Sequence, residues 1–190
     1  MDTRNFNLID KLVAGMRLGK VLGHVREGDR VLDFGCGSQG YLLRKVSDRI
    51  KSGVGLDYDV DDEKIENLEF RKFSFKDKFD FKSASFDKVV MLAVLEHIEL
   101  NKVEVLFKEF ARVLSKGGKV VLTTPTPMSK AILELLAYKL HVISEGEIRD
   151  HKKYYRKDDM VDLDKKTGFK LESYKLFQFG INSVAVFKKV

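Results

Sequence analysis

Residues 31–40 read VLDFGCGSQG: a short apolar run, an acid within it, then glycines at the spacing G-x-G-x-x-G. Glycines so spaced permit a tight turn and let the backbone approach a ligand closely, which is the chemistry of nucleotide binding. A Walker-type phosphate loop is excluded, because Tyr41 rather than a lysine follows Gly40. Asp57 ends a second apolar segment, GVGLDYD, about 20 residues past the loop, where a carboxylate accepts hydrogen bonds from ribose hydroxyls. That position serves a nicotinamide dinucleotide and an adenosyl sulfonium alike. Asp33 discriminates. Two residues ahead of Gly35, its negative charge opposes a pyrophosphate and attracts an ammonium or sulfonium.

Other residues carry weaker signals. Cys36 is the one cysteine, so neither an internal disulfide nor a cysteine-based zinc site can form, and a reducing, cytoplasmic setting fits. Set between two glycines, it reads as a small residue lining the turn. His97 follows the apolar run SFDKVVML and titrates near neutral pH, which makes it the candidate base where an acceptor must lose a proton. The competing reading is a histidine that caps the following helix. Glu96 and Glu99 stand beside it at a spacing that matches no strong metal motif, so no metal ligand is assigned.

The elements that must position these residues follow from periodicity. Asn7–Val25 reads as one or two helices, 30–34 as a strand, YLLRKVSDRI as a helix and GVGLDYD as a buried strand. A third strand is expected in NLEFRKFSF, a fourth in SFDKVVML and a fifth in KVVLTT. Val103, Leu106, Phe107, Phe110, Val113 and Leu114 mark one face of a helix, with Gly117 expected just past its end. Thr126 and Pro127 look like an N-cap and first helical position of a helix through Leu140. RKDDMVDLDKKTG predicts a short helix, and two last strands pivot on Gly180. The alternation predicts an α/β, mostly parallel sheet with helices on both faces and ligands beyond the carboxyl ends of its strands.

A chain of 190 residues with 44% hydrophobic residues supports one core, so a single domain is expected over 1–190. No apolar run is long enough for membrane insertion, and the start lacks an export signal. The formal charge is +6, but Lys and Arg are scattered among acids, which reads as solvated surface. FRKFSFKDKFDFK, residues 70–82, interleaves aromatic and basic residues as a nucleic-acid platform would. A strand with lysines in solvent explains it better, and nucleic acid is disfavoured as acceptor.

VLDFGCGSQG, GLDYD, SFDKVVMLAVLEHI and FARVLSKGGKVVLTTP, in that order, resemble four motifs of class I S-adenosylmethionine-dependent methyltransferases. The likeness is strongest to the small type 11 or 12 enzymes, which share the VLEH phrase and a later His-x-x-x-Tyr, here within HKKYYRKDDM. The resemblance implies a Rossmann-like doubly wound sheet of seven strands ending in an antiparallel hairpin. It implies that Asp33, Gly35 and Gly37 hold the methionine portion of S-adenosylmethionine, with Cys36, Gly40 and Leu92 in the surrounding wall. Asp57 would hold the ribose and Tyr58 would flank the adenine. The acid these enzymes often carry beside the adenine amino group falls on Phe75, so backbone groups there, or Ser74 or Asp77, would replace it.

The function this implies is methyl transfer to a small-molecule acceptor by in-line displacement, leaving S-adenosylhomocysteine. Residues 1–27 would form a helical cap and 128–155 a substrate lid in which His151 and Tyr155 contact the acceptor. Two alternatives remain at this stage: a non-catalytic, cofactor-binding partner subunit, and an NAD-dependent oxidoreductase. The sequence leaves the acceptor and the oligomeric state open.

Overall fold

The computed structural model describes residues 8–134 and 152–190. The first helix, α1 (Leu8–Leu22), is shorter than the periodicity suggests, and the chain turns at Gly28 into β1 (Arg30–Phe34). There follow α2 (Tyr41–Val46), β2 (Ser52–Asp57), β3 (Glu63–Ile65), β4 (Leu68–Lys72) and β5 (Phe86–Leu92). After a 3-10 turn at Leu95–His97 come α3 (Leu100–Val113), β6 (Leu114–Pro125), α4 (Pro127–Glu134), α5 (Lys157–Thr167), β7 (Phe169–Phe177) and β8 (Asn182–Lys189).

The strands form one sheet in the order β3-β4-β2-β1-β5-β6-β8-β7. From β4 to β6 the pairing is parallel; β3 and the β7–β8 hairpin run antiparallel. The expected seven strands are therefore eight, because the short β3 adds an edge that its polar sequence, EKI, does not announce. From β1 the chain moves outward through β2 to β4, then returns to lay β5 on the other side of β1. That reversal opens the crevice where ligands of such sheets bind, and the glycine loop leads out of it.

Alternation along the central strands sends side chains to two cores. Leu32, Phe34, Val89 and Leu122 face α3 and α5, while Val31, Val90 and Val121 face α1 and α2. On α3, Val103, Leu106, Phe107, Phe110 and Val113 are buried as one stripe, each contributing roughly 1.5–3 kcal/mol. The segment after β4 joins that core. Phe79 stacks on Phe110 at 5.7 Å and meets Phe34 and Phe75 at 5.7 and 5.1 Å. Arg112 donates to the carbonyls of Phe79 and Phe81 at 2.9 and 2.7 Å, and Glu109 accepts from the Phe79 amide at 2.9 Å, so one charged pair pins the loop. The aromatics of 70–82 are thus core material, and the third strand stops at Lys72.

Two expected helix ends are built differently. Gly117, at φ 74, lies within β6, since α3 already ends at Val113 when Leu114 turns extended. Thr126 precedes α4 as expected, but its hydroxyl donates to the carbonyls of Gly180 and Ile181 at 2.6 and 3.2 Å, tying α4 to the hairpin instead of capping it. The Arg156–Gly168 stretch forms its predicted helix, stopped by Gly168 at φ 73.

Candidate active site

Beyond β1 the chain folds back on the end of β2. The amides of Gly35 and Cys36 donate to the carbonyl of Leu56 at 2.8 and 3.2 Å, and the Gly37 amide donates to Asp57 Oδ2 at 2.8 Å. The other oxygen of Asp57 accepts from the Asp59 amide at 3.0 Å. Gly35 must be glycine for want of space: a Cβ there would lie 2.2 Å from Val94 Cγ2. At Gly37 a Cβ would meet nothing within 4 Å, so the turn faces open room. Gly40 starts α2 against the ring of Phe70.

Asp33 is 2% exposed, and among the described residues its carboxyl has no hydrogen-bond partner. Burial, then the negative charge of Asp57, push it up to about 7. A buried carboxyl in that state favours the arrival of a cation. Burial first, then Asp33 and Asp57, drive the Cys36 thiol far above its usual range, which leaves it an inert wall of the turn.

The structure gathers Asp33, Gly35, Cys36, Gly37 and Asp57 around one turn, and Cys36 and Leu92 both pack against the same core. Tyr58 follows Asp57 and is 59% exposed, and Ser74 is exposed. Phe75 turns its ring into the core, edge-on to Phe34 at 6.2 Å, which leaves its backbone for any polar contact.

On the neighbouring strand end, Ala93 takes a positive φ of 54 and donates its amide to Thr123 at 2.9 Å. This kink sets Val94 against Gly35 and starts the turn that carries Glu96 and His97. His97 is half-buried at its end, its amide on the Val94 carbonyl at 3.0 Å. Glu96, a candidate beside His97 in the sequence, proves to be a buried residue. It is 1% exposed, accepts from Thr124 Oγ1 at 3.1 Å, and its carbonyl accepts from the Lys152 amide at 2.7 Å. Burial raises its carboxyl, partly offset by Arg17 of α1 and by His97. Its signal was the Glu-His phrase, read for metal chemistry; no group of three or more His, Cys, Asp or Glu among the described residues is placed to hold an ion.

Tyr155 is 3% exposed, close enough for the charges of Asp159 and Glu96 to act on it, and among the described residues its buried hydroxyl has no hydrogen-bond partner. His151 and residues 135–150 of the expected lid lie outside the described residues.

A doubly wound, mostly parallel sheet with a glycine turn at its reversal point is a Rossmann-like α/β fold. More particularly, residues 3–174 match the family described as methyltransferase domain; the chain belongs to that family, and its cofactor is S-adenosylmethionine. No curated protein matches it in sequence. Among solved structures it is similar to a SAM-dependent methyltransferase from Methanosarcina mazei, with 19% identity and TM-score 0.67, over 90% of this chain and 97% of that one. It is also similar to an S-adenosylmethionine-dependent methyltransferase from Mesorhizobium loti, with 16% identity, TM-score 0.69 and coverage of 90% and 96%. A Haloferax volcanii chain solved in complex with the Trm112 methyltransferase activator has 17% identity, TM-score 0.67 and coverage of 97% and 98%. At such identities the likeness establishes the fold alone. The residues present fit the cofactor: an unpartnered buried acid for a cation, open space at Gly37, and on Asp57 lone pairs beyond those its two amides use.

Proposed function

We propose that the chain transfers the methyl group of S-adenosylmethionine to a small-molecule acceptor, a metabolite or a lipid or sugar intermediate, in the cytoplasm. One observation supports the acceptor class: among the described residues the buried Tyr155 hydroxyl is unpartnered, and it lies near the buried Glu96. An unsatisfied hydroxyl in such a place costs about 1–3 kcal/mol, which a polar atom of an enclosed ligand offsets. An acceptor recess bounded by Tyr155 and His97 would suit a compact acceptor.

When bound, the cofactor supplies an electrophilic methyl whose bond to sulfur breaks toward sulfur as an acceptor lone pair attacks in line. Asp33 and the Gly35–Gly37 backbone would hold the methionine end with Leu92 in the surrounding wall, Asp57 the ribose, and Tyr58 an adenine face. Ser74 and the Phe75 backbone take the adenine amino group. Holding the acceptor in line contributes on the order of several kcal/mol, so the residues bounding the recess do most of the catalysis. His97 takes up the proton that a hydroxyl or amine acceptor releases.

A second reading, a cofactor-binding subunit without turnover, draws on the commitment of the Phe75 ring to the core, which leaves no carboxylate for adenine. The test supplies methyl-tritiated cofactor with a cell extract split by ultrafiltration. Label in the low-mass fraction supports the enzyme reading, label only in macromolecules overturns the acceptor class, and cofactor binding with no label anywhere supports the second reading.

A further inference from the structure

The fold gathers cations that the sequence disperses. On the sheet face that also carries Val121 and Val186, Lys88 of β5, Lys119 of β6, Lys188 of β8 and Lys170 of β7 stand opposite one another in register. Like charges directly opposed across strands destabilise a sheet, so a row of four has a cost that needs an offset. Lys88 is buried and neutralised by Asp29 at 3.2 Å. Of the other three, Lys119 and Lys188 share one carboxylate, Glu172, which occupies the bulge of β7 and lies 4.0 Å from Lys188. These three form the floor of a concavity of about 920 Å³, walled by His24 beyond α1 and by Lys116 and Lys189. Burial, then the charges of Lys119, Lys175 and Lys88, hold His24 below its usual range against the opposing pull of Glu172, an internal sign of the positive field.

The groove lies at the start of β6, whereas the cofactor turn is level with its end; Lys119 and Thr124 are about 17 Å apart along the strand. We propose that this groove binds the phosphate backbone of a nucleic-acid strand, without reading its bases, at a site separate from the cofactor site. These lysines stand in a row across adjacent strands, the strands themselves about 4.8 Å apart, and match a chain that repeats one charge per unit. A membrane surface would need a convex face with apolar anchors. The lining has no Phe, Tyr, Arg, Asn or Gln and is dominated by lysines, so charge rather than base identity governs what it holds.

The experiment follows the anisotropy of a fluorescein-labelled oligouridylate titrated with the full chain at several salt concentrations. The groove predicts a Kd of roughly 1–100 µM near physiological salt and a slope of log K on log salt of about −2. Exchanging Lys170→Glu with Lys188→Glu should weaken binding at least tenfold and flatten the slope. The same charge change at Lys78→Glu with Lys82→Glu, within the aromatic and basic stretch on the other face, should alter it less than twofold. Stabilisation by S-adenosylhomocysteine, read on both double variants, shows that each is folded. If that stabilisation is absent from the unaltered chain, the methyltransferase reading fails and the groove result still stands. Absence of binding, equal loss in both variants, or tighter binding of phosphatidylserine vesicles or oligoglutamate overturns the proposal.

Discussion

Asp33 couples cofactor binding to pH. A carboxyl raised to about 7 is half protonated near neutrality in the free protein, and a bound cation draws its pKa back down. Binding therefore expels a proton, and affinity for S-adenosylhomocysteine, whose ammonium remains, should weaken by roughly tenfold per pH unit well below pH 7. Calorimetry in buffers of different ionisation enthalpy measures that proton. The sign for stability is opposite. The folded state binds more protons than the unfolded one between about pH 4 and 7, so stability contributed by protonated Asp33 is lost as pH rises through that window. Asp33→Asn should raise the melting point of the free protein at pH 8, by about 1–3 kcal/mol of stability, while abolishing stabilisation by the cofactor product. Tyr155→Phe tests the acceptor side: KM should rise by roughly tenfold with product binding unchanged, because only an unmade hydrogen bond is removed. Equal kinetics in the two proteins would remove Tyr155 from the acceptor site.

At the scale of elements, the kink at Ala93 and the pairing of β1 with β5 decide how firmly the site is held. Ala93→Gly relieves a positive φ and should stabilise the fold by about 0.5–1 kcal/mol in denaturant melts, with cofactor binding kept. Arg30 of β1 grips Asp87 of β5 through both carboxylate oxygens, at 2.9 Å each, and holds that acid well below its usual range. Asp87 thus contributes stability above about pH 4 that is lost as pH falls further, and Asp87→Asn should lower the melting point at neutral pH yet matter little in strong acid. The central strands of the sheet were legible because apolar runs such as Val89–Leu92 and the glycine loop are local signals. The kink was not, since MLAVLEHI suits a strand or a helix equally and only the crowding of Val94 against Gly35 shows the turn. Nor was the task of Thr126, whose hydroxyl finds partners more than 50 residues away. Glu96 was visible as a residue type but not as a buried one, because its burial is made by β6 and by the segment after the lid.

Across the whole molecule, scattered basic residues seemed to be solvated surface until the hairpin brought Lys170 and Lys188 beside Lys119, three positions far apart in the chain. Mutual repulsion in that row should make the melting point climb with added salt, and the climb should shrink in the Lys170→Glu and Lys188→Glu protein. The two outermost strands carry a different consequence. On one margin, β3 offers three residues, two of them charged, and on the other, β7 is bent at Glu172 and studded with Lys170 and Lys175. Neither border presents a long flat apolar template for a neighbouring molecule's backbone, so the protein is guarded against growing into fibrils even where it is concentrated.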